Sequence, residues 1–232
     1  MNGDAAMTMQ FDPKAIMIGA TAVTPASPMS SVSYRRYVKR ALDILLVLMA
    51  MPVVLPLIAV FAVLVVLDGG PAFYSQDRIG FGGRRFRMWK LRSMVIDADA
   101  ALAAYLDADP SARAEWDRDQ KLTRDPRITW LGRFIRKISL DELPQLVNVL
   151  TGDMSLVGPR PMLPEQREMY SGQAYFRLRP GLTGPWQVSD RNSSSFAARA
   201  EFDRAYDAAL SLRTDVAIIA ATFAVVLRAT GR

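Results

Sequence analysis

The architecture of this chain turns on "LMAMPVVLPLIAV", Leu48 to Val60. The stretch lies inside an apolar run from Ala41 to Leu67, about 27 residues where ~20 suffice to cross a bilayer as a helix. Pro52 and Pro56 stand near its centre. Each proline removes a backbone donor and crowds the preceding turn, so a bend near Pro52 is expected. Both flanks are basic: Arg35, Arg36, Lys39 and Arg40 precede the run, and Arg78, Arg84, Arg85, Arg87, Lys90 and Arg92 follow it. A plain crossing would put one cationic set outside, against the positive-inside tendency. Asp43 sits one turn into the apolar stretch, where an uncompensated charge is costly, and Arg40 three residues earlier is its expected partner at the headgroups. A proline-kinked single span remains the plain alternative. On this pattern alone, a re-entrant helix that enters the membrane and turns back stands level with it.

Outward from this segment, the composition suits one membrane element joined to a polar body. Half of the 232 residues are hydrophobic and the mean hydropathy is +0.09. Cysteine and histidine are both absent. Disulfides, thiol chemistry and Cys-ligated zinc are thereby excluded, together with the commonest general base and metal ligand. Any catalysis rests on carboxylates, Lys, Arg, Tyr or hydroxyls, and any metal is an oxygen-loving one such as Mg²⁺. The net charge is +6 and the pI about 9.8. Beside a long apolar run, that balance points to lipid headgroups or phosphorylated substrates rather than nucleic acid.

Three parts follow. Residues 1–33, rich in Ala, Met, Ser, Thr and Pro, read as a disordered leader; residues 34–68 as the re-entrant helix; residues 69–232 as a small cytoplasmic catalytic domain. The fold class is α+β, mainly helical, with interfacial helices. Residues 97–122 read as surface helices broken at Pro110, and "VAIIAATFAVVL" near the C-terminus as a core or interfacial helix too short to span.

The polar chemistry concentrates in "ISLDELPQLVNVL". Leu140, Leu143, Leu146, Val147 and Leu150 recur at helical spacing, and Pro144 limits where the helix can begin. With Asp141 as N-cap, Pro144 falls where N–H groups are free anyway, and the helix dipole keeps the Asp141 carboxylate ionised and nucleophilic. The plain alternative is a structural helix start, because Ser139 with Glu142 also fits a capping box. Beyond the helix, "GPRP" fixes Arg160 between two prolines, which suits bidentate phosphate recognition; alone it is an ordinary loop. "FRMWKLRSM" alternates like a strand and puts Lys90 and Arg92 on one face with Phe86 and Met88, where they call for anionic company or snorkel to headgroups. No Gly-rich phosphate loop stands between a strand and a helix; "GFGG" is a turn signal.

Taken in order, the basic-flanked apolar helix, "GGPAFYSQDRIG", "FRMWKLRSM", "SLDELPQLVNVLTGDMSLVGPRP" and "RPGLTGPWQVSDRN" resemble the bacterial sugar transferase family over about residues 34–232. These are monotopic phosphoglycosyl transferases, and "GLTGPWQVS" is most similar to the exopolysaccharide-initiating hexose-phosphate type. The chain looks like the short form, without the multi-span N-terminal region of larger relatives. The resemblance implies transfer of a sugar 1-phosphate, glucose or galactose leading, from a UDP-sugar to undecaprenyl phosphate with release of UMP. It implies that Asp141 forms a covalent phosphosugar intermediate and that Glu142 serves Mg²⁺. It also implies phosphate contacts from Lys90, Arg92 and Arg160, with Gln187 and Arg191 near the nucleotide or sugar. The expected place is the cytoplasmic face of the bacterial inner membrane, and the family leaves room for a homodimer.

Two departures stand out: Met51-Pro52 where relatives often carry Ser-Pro, and Asp190 where Gly is common. The competing functions are a non-catalytic membrane-anchored scaffold of the same fold and a Mg²⁺-dependent phosphohydrolase.

Overall fold

The computed structural model describes residues 17–18, 21–22, 33–119, 122–189 and 196–227. The reading of residues 1–33 as a disordered leader falls largely outside them. Its described part is a minimal antiparallel pair, β1 (Met17–Ile18) and β2 (Thr21–Ala22).

The apolar run forms one long helix, α1 (Lys39–Leu67), entered through a π-helical turn at Tyr34–Val38. The helix runs as one element through Pro52 and Pro56. Each proline deletes a single donor, and the remaining ladder carries the helix past it. At 1.5 Å per residue, α1 is roughly 43 Å long. Among the described residues it is the one helix long and apolar enough to cross a membrane. One stripe of it packs on the body: Val47 and Val65 are buried, Met51 and Val54 pack against the core, and Phe61 stacks on Phe134 at 6.1 Å. The remaining faces carry exposed Leu48, Met49, Val53, Leu55, Val60 and Val63.

The expected Arg40–Asp43 pair does not form, because each side chain finds a better partner in the body. Asp43 is buried and accepts from the Ser155 hydroxyl (2.7 Å) and the Leu156 N–H (3.1 Å). Arg40 donates to the Val149 and Leu150 carbonyls in the last turn of a helix. At the other end of α1, the Arg92 guanidinium donates to the Val65 carbonyl at 2.7 Å and to the Pro71 carbonyl at 2.8 Å. Both ends of the apolar helix are therefore bonded to the same globular body.

That body is built around an antiparallel hairpin, β3 (Phe73–Ile79) and β4 (Arg85–Leu91), in which Tyr74 faces Lys90 and Arg78 faces Phe86. Two surface helices follow, α2 (Ala98–Ala108) and α3 (Pro110–Asp119). They are separated at Asp109, whose carboxylate accepts from the Ser111 and Ala112 N–H groups and starts the second helix. Next come α4 (Trp130–Lys137), capped by the Thr129 hydroxyl, and α5 (Gln145–Thr151). Then β5 (Ser155–Val157) pairs in parallel with β6 (Gly181–Thr183). The chain closes through α6 (Pro185–Val188), α7 (Ala198–Ala208) and α8 (Leu212–Leu227). The start of α8 is tied to the start of α1 by buried Asp215, which accepts from Tyr34, Lys39 and Tyr206. The described fold is α+β and mainly helical, with three two-stranded sheets among the described residues.

Candidate active site

The path from α4 to α5 sets the position of Asp141, and it differs from the expected N-cap. Ser139 adopts a left-handed backbone (φ 57°), alone among the described non-glycine residues, and makes no side-chain cap bond. Such a conformation costs of order 1 kcal/mol or more for a residue with a Cβ, and it persists where surrounding structure imposes it. The chain then makes a 3₁₀ turn, Leu140–Glu142, before α5 begins at Gln145 with Pro144 as its N-cap. Pro144 does sit where a missing N–H costs nothing, but the α-helix starts four residues beyond Asp141. Asp141 is buried in the turn, and burial pushes its carboxyl above the usual carboxylate range. Lys90 pulls the other way and Glu142 adds to the rise. The expected N-cap position of Asp141 is thus corrected: the carboxylate lies in a 3₁₀ turn ahead of the helix, not at its first residue.

Lys90 reaches this turn because α5 is registered on β4. The Asn148 side chain accepts from the Trp89 N–H at 3.1 Å and donates to the Arg87 carbonyl at 2.8 Å, imitating a neighbouring strand. One residue on, the Lys90 ammonium lies 3.0 Å from a Glu142 oxygen and 3.3 Å from an Asp141 oxygen.

The opposite wall is a joint between "GPRP" and "GLTG". Gly158 donates to the Thr183 carbonyl at 2.9 Å, and Gly181 to the Pro159 carbonyl at 2.8 Å. A Cβ on Gly184 would stand 1.9 Å from the Gly158 oxygen, so these backbones touch in a way that no side chain permits. The joint carries Arg160 and Gln187 to the cavity. The Arg160 guanidinium lies 5.5 Å from the Trp186 ring, and Arg199 lies 4.3 Å from the same ring. Burial, and then Arg160, lower the Arg199 pKa to about 10. The buried Gln187 Oε1 has no hydrogen-bond partner among the described residues.

Between these walls is a cavity of about 630 Å³, within the usual range for a small-molecule site. Asp141, Glu142, Lys90, Arg160 and Gln187 all line it. Arg92 does not; it spans the C-terminus of α1 and the Pro71 carbonyl instead, because the strand ends at Leu91 and its alternation ends with it. Arg191 lies outside the described residues, as does the Asp190 departure. The structure adds Arg78, Arg136 and Lys137 to the lining. Arg136 and Lys137 immediately precede "ISLDE", so proximity in the chain was their available signal; Arg78 needed the hairpin register. Five cations face two carboxylates, an excess of three positive charges that suits polyanionic substrates. An apolar side completes the cavity, with Leu46 of α1 and Ile219 and Phe223 of α8.

The sequence profile of the bacterial sugar transferases matches residues 34–229. This chain belongs to the bacterial sugar transferase family. It is 48% identical over 198 residues to the UDP-galactose-lipid carrier transferase of Erwinia amylovora, covering 84% of this chain and 42% of that protein. It is 42% identical over 196 residues to the exopolysaccharide production protein ExoY of Rhizobium meliloti, covering 83% and 87%. It is 34% identical over 205 residues to the UDP-glucose:undecaprenyl-phosphate glucose-1-phosphate transferase of Escherichia coli, covering 83% and 40%. The chain thus spans about two fifths of the first and third of these proteins and most of the second.

The donor set of the cavity also fits an oxygen-loving divalent ion. Asp141 and Glu142 are adjacent carboxylates, and the Lys90 ammonium already occupies a cation's position against both. Among the described residues no group of three acidic side chains forms a self-contained metal cage. Mg²⁺ is commonly held by one or two carboxylates with substrate phosphates completing its shell, so a pair is sufficient.

Proposed function

We propose that this sugar transferase moves a sugar 1-phosphate from a UDP-sugar to undecaprenyl phosphate, with release of UMP, at the cytoplasmic face of the bacterial inner membrane. Glucose and galactose are the leading sugars. The observation that carries the reading is the buried Asp141 carboxylate, set beside Lys90 and Glu142 in a cavity with polar cations on one side and apolar α1 and α8 residues on the other. The family match and the relatives named for galactose- and glucose-phosphate transfer support it.

In this scheme a carboxylate oxygen of Asp141 attacks the β-phosphorus of the UDP-sugar. The bond from that phosphorus to the bridging oxygen breaks, and UMP departs with the electron pair. An oxygen of the lipid phosphate then attacks the same phosphorus and the Asp141 carboxylate is released, so the enzyme is regenerated and the reaction is ping-pong. Lys90 and Arg160 stabilise the negative charge that gathers on the phosphoryl oxygens. Glu142 and Asp141 would hold Mg²⁺, which when bound neutralises diphosphate charge. Asp141 attacks only when ionised, a form that burial disfavours and Lys90 favours.

The membrane half follows the same logic. A donor in the cytosol and an acceptor in the lipid require a site at their boundary. That both ends of α1 are bonded to one body, through Arg40 and Asp43 at the start and Arg92 at the end, supports a helix that enters the membrane and returns.

The test is nucleotide release by the purified protein given UDP-glucose or UDP-galactose, Mg²⁺ and undecaprenyl phosphate, with Asp141→Asn alongside. Wild type is expected to release UMP, and Asp141→Asn to lose that activity by roughly four orders of magnitude. Omitting the lipid leaves a single turnover of UMP and a phosphosugar on the wild-type protein. UDP as the product would refute phosphosugar transfer. Turnover without the lipid would make the protein a phosphohydrolase, and no release with either sugar would favour the scaffold.

A further inference from the structure

Trp130 and Phe134 face outward from the body, and the transfer chemistry uses neither. They lie on α4, whose orientation is fixed from behind. A Cβ on Gly132 would stand 2.0 Å from the Ser93 carbonyl oxygen, so the helix backbone rests directly on that segment, and Ile135 is buried on the same side. At 3.6 residues per turn, the opposite face carries Trp130, Arg133, Phe134 and Lys137. Trp130 is 78% exposed and Phe134 49%. The helix holds the cations Arg133, Arg136 and Lys137 and no carboxylate. The apolar surface continues past α4. Phe134 stacks on Phe61 of α1, exposed Leu67 ends α1, and exposed Ile96 lies over Gly70 just beyond it. The ring-bearing face of α4 therefore adjoins the exposed apolar side of α1 along its C-terminal half.

We propose that this face of α4 rests in the headgroup layer of an anionic bilayer, as a contact separate from α1, and sets the level at which Asp141 meets the lipid acceptor. The inference rests on the reading above of α1 as a membrane helix and of Asp141 as the transferring residue. Aromatic rings with cations between them fit the boundary of acyl chains and headgroups, where the rings bury and the charges meet lipid phosphates. A protein seated on α4 would have to share the apolar side of α1 with the membrane, so the continuity of the two surfaces favours lipid. The consequence for the reaction comes from chain distance. Asp141 follows Lys137 by four residues, through the left-handed Ser139 and the 3₁₀ turn. That short link carries the position of α4 to the turn. A soluble donor reaches Asp141 whatever the level of α4, whereas a phosphate tethered to a buried chain reaches it at one depth.

The test uses the full chain in phosphatidylcholine vesicles, with and without phosphatidylglycerol, and the variants Trp130→Phe, Trp130→Ser and Arg133→Glu. Neither side chain lines the cavity. The fluorescence difference between wild type and Trp130→Phe isolates Trp130. It is expected to be quenched by phosphatidylcholine brominated high on its chains, more strongly with phosphatidylglycerol present, and to be shielded from aqueous acrylamide. Arg133→Glu removes the phosphatidylglycerol increment. In phosphatidylglycerol vesicles it raises the KM for undecaprenyl phosphate by about fivefold or more, the factor expected of one cation near an anionic surface. Trp130→Ser raises that KM in both kinds of vesicle. Single-turnover UMP release without the lipid stays within about twofold of wild type in both variants. A Trp130 open to acrylamide overturns the docking. So does one shielded from acrylamide and brominated lipid alike, which a second copy or another protein would cover. An unchanged KM for the lipid overturns the link between α4 and the acceptor. A single-turnover release that falls as far as lipid transfer makes α4 a brace for the Asp141 turn and overturns it too. A wild type that releases no UMP sinks the transfer reading, while the quenching still decides whether α4 meets lipid.

Discussion

Asp43→Ala is the most revealing structural perturbation, because the apolar run and the body make opposite claims on this side chain. If Asp43 lay among headgroups, its removal would cost little. In the structure it is buried 5% exposed against Ser155 at 0%, accepting from the Ser155 hydroxyl at 2.7 Å and the Leu156 N–H at 3.1 Å. Alanine leaves the buried Ser155 hydroxyl and the part-buried Leu156 N–H unsatisfied, at about 1–3 kcal/mol each, so a loss of about 2–5 kcal/mol is expected. For a chain of this size that lowers the melting temperature by about 5–15 °C. Asp43→Asn keeps one acceptor oxygen for Leu156 and is expected to cost about 1 kcal/mol. The assay is thermal unfolding of the protein in lipid nanodiscs, run as a cycle of Asp43→Ala, Ser155→Ala and the double variant. A coupling of about 1–2 kcal/mol is expected. Additivity within about 0.5 kcal/mol, or an Asp43→Ala no worse than Asp43→Asn, would refute the tie between α1 and β5.

Two further outcomes follow from the packing. Gly184→Ala puts a Cβ 1.9 Å from the Gly158 oxygen in a backbone that is otherwise extended (φ −176°), so the cost is steric. A loss of about 1–3 kcal/mol or more, with weaker UDP-sugar binding as Gln187 moves, is expected in thermal unfolding and in KM. Asp203, buried beside Tyr170 and Arg199, has its carboxyl pushed up to about 7 by burial, against the Tyr170 hydrogen bond and Arg199, which lower it. The folded state then keeps a proton that the unfolded chain releases near 3.8, so stability falls as pH rises from about 4 to about 7 and levels off above. Asp203→Asn should remove that slope from the melting temperature; an unchanged slope would assign it to another group.

The linear order of residues carried a great deal. An apolar run long enough for a membrane, basic on both sides, is visible because hydropathy is local and additive. The surface helices broken at Pro110, the strand containing Lys90 and the existence, but not the start, of the helix through Leu146 were legible for the same reason: periodicity and proline act within a few residues. Asp141 and Glu142 stood out because they are adjacent and lie beside a helical repeat. The contacts between distant segments were not legible. Arg40 and Asp43 look like a helix-face pair, yet they bond to segments more than a hundred residues away. Arg92 reads as Lys90's companion and instead joins the end of α1, one residue past the strand. The raised pKa of Asp141 depends on how much protein surrounds it, and the left-handed Ser139 depends on the packing of α4 against the turn. Arg78 joins the site through a strand register, and Arg160 through a touching pair of glycine backbones. Spacing along a chain sets which elements form; desolvation, and the exchange of one hydrogen-bond partner for another, are settled only when the elements meet.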